Sequence, residues 1–220
     1  MPRGLRPTNE LWSRLWALVV VLVAAVGCAA DDEPADPKTG WPADLQIDWQ
    51  DYSCKGEVLA LPECSSPTAV VTNVAASLPA SHIPQATKIS YTDAPPLSGP
   101  HRGVWAKWGR YAYLPPQRWI HNMEHGGVAF LYDPCAPAEL LAEIQAYIAQ
   151  QTKKDRFWKY VLTPYPGLPT AWAVAAWEWK VEGECFAPDA VDAFLAARYD
   201  NGPEVGVNMS GDYDWLWEGF

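Results

Sequence analysis

The chain carries few basic residues, since 16 Lys and Arg stand against 26 Asp and Glu for a formal net charge of −10. Phosphate contacts dominate binding to nucleic acid and to anionic lipid, and they require the opposite sign of charge. The composition therefore argues against both as the main function and predicts no nucleic-acid partner. An acidic surface attracts cations, although the sign of the charge alone does not identify a bound cation.

The sequence also lacks an apolar run long enough for a comfortable membrane span, which needs about 20 residues. Leu15 to Val26 supplies only about a dozen, behind a flank that contains three arginines. This run ends at Ala25-Val26-Gly27-Cys28, small residues before a cysteine, which is typical of a lipoprotein signal peptide. We predict a signal peptide over 1–27 and a membrane link through lipid on Cys28. The alternatives are a plain secretory signal and an N-terminal anchor helix.

Residues 28–50 are acidic and contain proline, which predicts a solvated tether between lipid and domain. We predict that residues 51–220 form a single globular extracytoplasmic domain. Ala30, two places after Cys28, lacks the acidic side chain that retains some lipoproteins at the inner membrane, so the outer membrane or periplasmic face is favoured. Removal of 1–27 leaves 13 basic and 25 acidic residues, a net charge of about −12.

Cysteine is scarce, and no C-x-x-C pair occurs, which argues against a cysteine metal site. Once Cys28 is assigned to the lipid, four cysteines remain. An even number in an oxidising compartment predicts two disulfides. Three connectivities are possible, and we favour Cys54–Cys64 as a short local loop together with Cys135–Cys185.

The pattern of apolar residues indicates an α+β fold. We expect a small mixed or antiparallel sheet with two packed helices, after a long irregular Pro-rich N-terminal half. We expect the acidic, Trp-bearing tail Asp212–Trp217 to dock on the domain instead of forming an exposed contact patch. The predicted elements are short strands at Thr87–Tyr91, Gly127–Tyr132, Phe157–Leu162 and Ala171–Val181, and helices that begin at Pro137 and Pro188.

Histidine is scarce but concentrated, because His82, His101, His121 and His125 all lie within 44 residues. Imidazole is the commonest metal ligand, since it is neutral near pH 7. His121-Asn122-Met123-Glu124-His125 has the form H-x-x-E-H, which supplies two ligands and a general base in inverted zinc proteases. Residues four apart lie about 6 Å apart on a helix but about 13 Å apart on a strand. His121 and His125 can therefore share an ion only if a helical turn or a tight loop precedes Gly126 and Gly127.

The turn Pro95-Pro96-Leu97-Ser98-Gly99-Pro100 holds His101 in one place. His101, His121 and His125 can thus form a three-histidine site. His82, Glu124 and Met123 are further candidate ligands. Three histidines with an open position suit zinc, whereas histidine with methionine in an oxidising compartment suits copper. The competing interpretation is that the histidines bond backbone carbonyls and fix loops.

PPLSGPH, followed by Trp105, Gly109 and Tyr111 and then by HNMEHGGVAFLY, resembles the family called domain of unknown function 3105. The resemblance extends from about His82 to Glu204, and Met123 stands where the family is expected to have Leu. It implies an extracytoplasmic or membrane-anchored domain without an established activity. The motif positions that it carries over are His82, Tyr91, Ser98, Gly99, His101, Tyr111, His121, Asn122, Glu124, His125 and Gly126.

Three classes of function follow from these residues. The leading one is a lipid-anchored extracytoplasmic domain that binds zinc or copper through His101, His121 and His125, with His82 as a further ligand. The second is a metal-dependent hydrolase with Glu124 as general base to a bound water. The third is a structural or surface-interaction domain whose histidines are structural. We do not favour a nucleophilic triad that uses Ser98, because nothing in the sequence distinguishes Ser98 from any other hydroxyl.

Overall fold

The computed structural model describes residues 47–48, 51–76, 78–207 and 209–220. The predicted signal peptide, Cys28 and most of the predicted tether lie outside these residues. None of the helices within the described ranges has the length and apolar character needed to cross a membrane.

The described residues form nine strands and three helices. The strands are β1 Val70–Asn73, β2 Ser81–His82, β3 Pro100–His101, β4 Gly109–Tyr111, β5 Val128–Tyr132, β6 Tyr160–Pro164, β7 Trp172–Ala176, β8 Trp179–Gly183 and β9 Trp217–Gly219, and the helices are α1 Pro116–Glu124, α2 Ala138–Lys154 and α3 Pro188–Arg198.

A seven-stranded mixed sheet organises the fold, with strand order β1-β8-β7-β5-β6-β4-β9. The strands β4, β6 and β5 run parallel, and the remaining pairs in this sheet are antiparallel. The α+β class is therefore confirmed, although three helices in the described ranges accompany the sheet where two were expected.

Both faces of the sheet are buried against helices. Along β5, Val128 and Phe130 join a cluster that contains the apolar faces of α2 and α3. Ala129 and Leu131 point the other way, into a cluster built around α1. This alternation follows from the two-residue period of a strand, and it explains why the whole segment is apolar.

Helix α1 lies entirely inside the protein, with all nine of its residues buried. Its first residue is Pro116, whose fixed φ suits the first turn of a helix. Trp119, Ile120 and Met123 belong to the core cluster on their side of the sheet. The helix ends at Glu124, and Gly126 follows at φ 80°, a left-handed conformation that favours glycine. The helical turn that H-x-x-E-H needs is thus present.

Several predicted elements are confirmed in type but differ in extent. The strand predicted from Phe157 begins at Tyr160 and continues to Pro164. The strand predicted over Ala171–Val181 is a hairpin, because Trp177 and Glu178 form a turn with Glu178 at φ 62°. The prediction of a strand at Thr87–Tyr91 is wrong, since Thr87 closes a turn onto the carbonyl of Pro84.

The predicted number of disulfides is confirmed, but the favoured pairing is wrong. Cys54 bonds Cys135 and Cys64 bonds Cys185, with Cα–Cα distances of 4.7 and 5.5 Å. The segment around Cys54 and Cys64 does not fold on itself, because it lies along the C-terminal half. The amide of Leu59, for example, donates to the carbonyl of Cys135 at 2.9 Å. Two disulfides favour an oxidising, extracytoplasmic compartment.

The C-terminal tail docks on the domain, as predicted. Strand β9 pairs antiparallel with β4 at the sheet edge, and Tyr213 forms an isolated bridge with Ala106. The indole of Trp217 donates to the carbonyl of Trp108 at 3.0 Å. The tail thereby covers the β4 edge of the sheet, next to the segment around Ala106 and Trp108.

Candidate metal centre

Four side chains converge at the C-terminal end of α1. One potential ligand atom from each of His82, His101, His121 and Glu124 lies within 4.8 Å of all the others. In a tetrahedral zinc site with bonds of 2.0–2.1 Å, the ligand atoms are about 3.4 Å apart. The group therefore has nearly the dimensions of a site for one ion and would need only a small contraction around it.

A short parallel ladder brings the first two histidines together. Strands β2 and β3 pair with His82 directly opposite His101, and the ring centroids are 5.1 Å apart. Gly99, at φ 108°, supplies the left-handed residue that turns the proline segment into β3. His82 is exposed and His101 is fully buried, so this ladder runs from the surface to the interior.

Helix α1 supplies the other two side chains. His121 and Glu124 are three residues apart and so lie on one face of the helix, with His121 Nε2 and Glu124 Oε2 separated by 3.9 Å. The ring of His121 is centred 4.7 Å from the rings of both His82 and His101. The opposite face of α1 is held by the core, which fixes the direction in which these two side chains point.

Backbone carbonyls set the tautomers of the two buried histidines. Nδ1 of His101 donates to the carbonyl of Gly99, and Nδ1 of His121 donates to the carbonyl of Arg102, both at 2.8 Å. A carbonyl can only accept, so the proton of each neutral ring is on Nδ1 and the lone pair is on Nε2. Metal-binding histidines are commonly oriented in this way.

Two buried atoms at the centre of the group lack hydrogen bonds. Nε2 of His101 lies 3.0 Å from Oε2 of Glu124, yet the pair does not meet hydrogen-bond geometry, and neither atom has another partner within the described ranges. An unsatisfied buried acceptor costs about 1–3 kcal/mol, more when it is charged. A cation bound between these atoms would satisfy both, so the residues fit a metal ion.

The electrostatics of the group also suit a cation. Burial lowers the pKa of His121 to about 4, and the neighbouring histidines lower it further while the bond to Arg102 opposes the shift. Burial alone would raise the pKa of Glu124, but the close contact with His101 and the charge interactions with His101, His121 and His82 lower it. Near pH 7 the group thus offers a neutral His121 and an ionised carboxylate.

A buried ion pair holds the segments that carry the ligands. The guanidinium of Arg102 binds Asp48, with Nε 2.8 Å from Oδ2, and both side chains are almost fully buried. The same guanidinium donates to the carbonyls of Ile83 and Pro84, directly after His82. Because Arg102 also follows His101 and accepts from His121, it links three of the four candidate ligands.

The end of α1 is fixed from two further sides. The amide of Asn122 bonds both the N–H and the carbonyl of Ala106, at 3.0 and 2.8 Å. The amide of Glu204 donates to the carbonyl of Glu124 at 3.0 Å. A Cβ at Gly202 would lie only 2.3 Å from that same carbonyl oxygen, so only glycine allows this approach. The loop after α3 therefore supports the site.

His125, predicted as a ligand, lies beside this group rather than within it. Its Nδ1 is 3.2 Å from the carbonyl of Glu204, and its Nε2 is buried without a hydrogen-bond partner among the residues described. Its ring is centred 4.6 Å from His121 and 4.5 Å from Trp105. The side chain of Met123, another predicted candidate, is buried in the apolar core.

The remaining motif residues have structural contacts. The hydroxyl of Tyr91 donates to the carbonyl of Pro100, at the start of β3. The hydroxyl of Tyr111 contacts the carbonyls of Lys107 and Tyr213. Ser98 lines a shallow surface pocket beside Tyr91 and is not part of the four-residue group.

Sequence reasoning missed Arg102, Asp48 and Trp105 as parts of the site. Arg102 directly follows His101, and burial of an arginine cannot be read from a single sequence. Asp48 is remote in the chain, and its role depends entirely on tertiary contact. Trp105, whose ring contacts His121 and His125, was noted only as part of the family pattern.

A family model described as "Protein of unknown function (DUF3105)" matches residues 82–211, which is more than half of the chain. The chain belongs to this family. The matched range begins at His82 and contains all four converging residues, whereas Asp48, Cys54 and Cys64 lie before it. Comparisons with curated proteins and with solved structures give no match.

Proposed function

We propose that this protein binds one zinc ion outside the cytoplasm through His82, His101, His121 and Glu124, and that lipid on Cys28 tethers it to a membrane. The observation that carries the proposal is the 3.0 Å approach of His101 Nε2 to Glu124 Oε2, two buried atoms without hydrogen bonds. The fixed tautomers of His101 and His121 support it, because both present lone pairs on Nε2.

Zinc fits the donor set better than copper does. Three imidazole nitrogens and one carboxylate oxygen are ordinary zinc ligands, whereas the argument for copper from the sequence depends on a methionine sulfur beside the histidines. Met123 packs in the apolar core on the far side of α1, which leaves nitrogen and oxygen donors alone at the site. With Glu124 ionised, the site contributes one negative charge toward a divalent ion.

Exposure of one ligand favours a role in metal handling. His101, His121 and Glu124 are buried, whereas His82 lies at the surface. An ion can therefore reach the buried ligands from the His82 side, and the net negative charge of the chain attracts cations. We propose acquisition or transfer of zinc at the cell envelope as the function of the site.

A metal-dependent hydrolase is the second candidate. The open side at His82 favours it, because a water could reach the ion there and become activated. In that case Glu124 acts as a general base, whereas in the leading proposal it is a ligand. The position of its Oε2 among the histidine nitrogens supports the ligand role.

Elemental analysis and zinc titration of the purified full chain test the proposal. We expect about one equivalent of zinc, with affinity lowered by about a hundredfold or more in His121→Ala. His125→Ala is the matched control, because His125 is also buried and also contacts a backbone carbonyl through Nδ1. His82→Ala should also weaken zinc binding. Because the His82 side chain is exposed, this variant should fold normally, so weaker binding in it cannot be attributed to misfolding.

Glu124→Gln separates the two candidates. If Glu124 is a ligand, zinc affinity falls; if it is a general base, zinc stays bound while hydrolytic turnover is lost. No metal in the wild-type chain after each ion has been offered would overturn both. Equal zinc content in wild type, His121→Ala and His82→Ala would also do so.

A further inference from the structure

A second cavity lies on the opposite side of the sheet from α1 and shares no residue with the metal centre. It has a volume of about 280 Å³ and is partly open to solvent. Helix α2 forms one wall with Gln145, Ile148, Ala149 and Thr152. The other walls are Arg110 on β4, Tyr160 on β6 and Phe220 after β9.

Sheet register brings the two polar side chains that the strands contribute to the cavity, Arg110 and Tyr160, onto one face. Strands β4 and β6 run parallel with Arg110 opposite Leu162. Tyr160 is two residues before Leu162 and therefore points to the same side as Arg110. Helix α2 packs over β5 and β6 but leaves this face of β4 open, which creates the cavity.

Both of these side chains have buried polar atoms facing the cavity. The Nε of Arg110 is buried and has no hydrogen-bond partner among the residues that the structure describes. The hydroxyl of Tyr160 is also buried, and its neighbour there is Thr152. Tyr160 is only 1 % exposed. Burial raises the pKa of Tyr160 against opposing contributions from Arg110 and Thr152, so its hydroxyl keeps the proton at neutral pH and can donate it. The buried Nε of Arg110, a donor without a partner, indicates a missing acceptor.

Charge and size restrict what that acceptor can be. No acidic residue is among those lining the cavity, and Arg110 is the only basic one. One guanidinium matches a planar carboxylate with two parallel bonds. A phosphate dianion would want more than one cation, especially in so acidic a chain. The side chains of Ile148, Ala149 and Phe220 supply an apolar wall.

We propose that this cavity binds a small monocarboxylate with a short apolar chain, the carboxylate held by Arg110 and Tyr160. The volume of about 280 Å³ lies just below the usual range for ligand pockets, about 300–1,000 Å³, so the ligand has few atoms. The proposal is independent of the metal centre, because the two sites have no residue in common.

Calorimetric titration of the full chain with hexanoate tests this site. We expect a Kd of about 1 mM or tighter, with no comparable binding of 1-hexanol, which has the same chain length but no charge. Arg110→Met should weaken hexanoate binding by about tenfold or more. Tyr160→Phe removes only the hydroxyl, so it preserves packing and should weaken binding by about three- to tenfold.

Arg156→Met is the matched control, since Arg156 is exposed and stacks on Phe157 away from the cavity. It should leave hexanoate binding unchanged. No binding to wild type would overturn the proposal. So would equal binding of 1-hexanol, or unchanged affinity in both Tyr160→Phe and Arg110→Met.

Discussion

Nε2 of His101 lies 3.0 Å from Oε2 of Glu124, and neither buried atom makes a hydrogen bond. The two side chains come from different elements, since His101 is on β3 and Glu124 ends α1. The pairing of β3 with β2 positions His101, and the packing of α1 in the core positions Glu124. The two atoms therefore form a polar pair with almost no solvent exposure, which a cation would stabilise.

Zinc should raise the melting temperature of the full chain. An ion at a hundred times its Kd stabilises the folded state by about 2.7 kcal/mol. For a domain of this size that corresponds to about 5–10 °C. Thermal unfolding followed by circular dichroism, with zinc and with a chelator, measures the shift. His82→Ala should reduce the shift without lowering the melting temperature of the metal-free protein; identical melting with and without zinc would contradict the account.

Acid should destabilise the metal-free protein through His121. Its pKa is about 4 in the folded state and 6.5 as the reference value. Between these values the unfolded chain binds a proton that the folded chain does not, so stability falls as the pH falls from about 6.5 to about 4. A shift of this size corresponds to about 3 kcal/mol at most, and to less where solvent screens the ring. Urea unfolding across this range, compared between wild type and His121→Gln, isolates the contribution; equal pH dependence would contradict it.

Asp48→Asn should weaken both stability and zinc binding. Breaking a buried ion pair costs about 3–5 kcal/mol, and Arg102, which links the ligand segments, loses its partner. Zinc affinity should fall by about tenfold or more, as for other residues that orient ligands. Asp214→Asn is the matched control, because its pair with Lys107 is exposed and should contribute less than about 1 kcal/mol. An equal effect of the two substitutions would contradict the role of Asp48.

Gly202→Ala should disturb the end of α1. The added Cβ would lie 2.3 Å from the carbonyl oxygen of Glu124 and 2.6 Å from that of Met123, and these backbone atoms cannot move aside cheaply. We expect a loss of about 1–3 kcal/mol together with weaker zinc binding. Gly56→Ala is the control, since nothing lies within 4 Å of the added atom. Denaturant unfolding and zinc titration measure both effects.

Much of the fold could be predicted from local pattern. The apolar run before Tyr132 and the amphipathic faces of α2 and α3 are local properties, so their positions follow from sequence. The hairpin between β7 and β8 was missed because Glu178 adopts a left-handed conformation without a glycine to mark it. The disulfide pairing was missed because it depends on where the segment around Cys54 packs.

The sequence indicated candidate ligands for the site, but it did not indicate which of them lie close together. The short spacing within H-x-x-E-H correctly indicated a helical turn, because that relation is local. The choice between His82 and His125 is not local. His82 reaches the group through its ladder with His101, whereas His125 follows the helix end and contacts the carbonyl of Glu204. Asp48 and Arg102 meet across 54 positions of sequence, which no motif records.

X-ray absorption spectroscopy of the zinc-loaded full chain tests the central claim most directly. The account predicts three imidazole nitrogens and one carboxylate oxygen at about 2.0–2.1 Å. One imidazole should be lost in His82→Ala and none in His125→Ala. A sulfur shell, an oxygen-only shell, or loss of an imidazole in His125→Ala but not in His82→Ala would contradict the proposed centre.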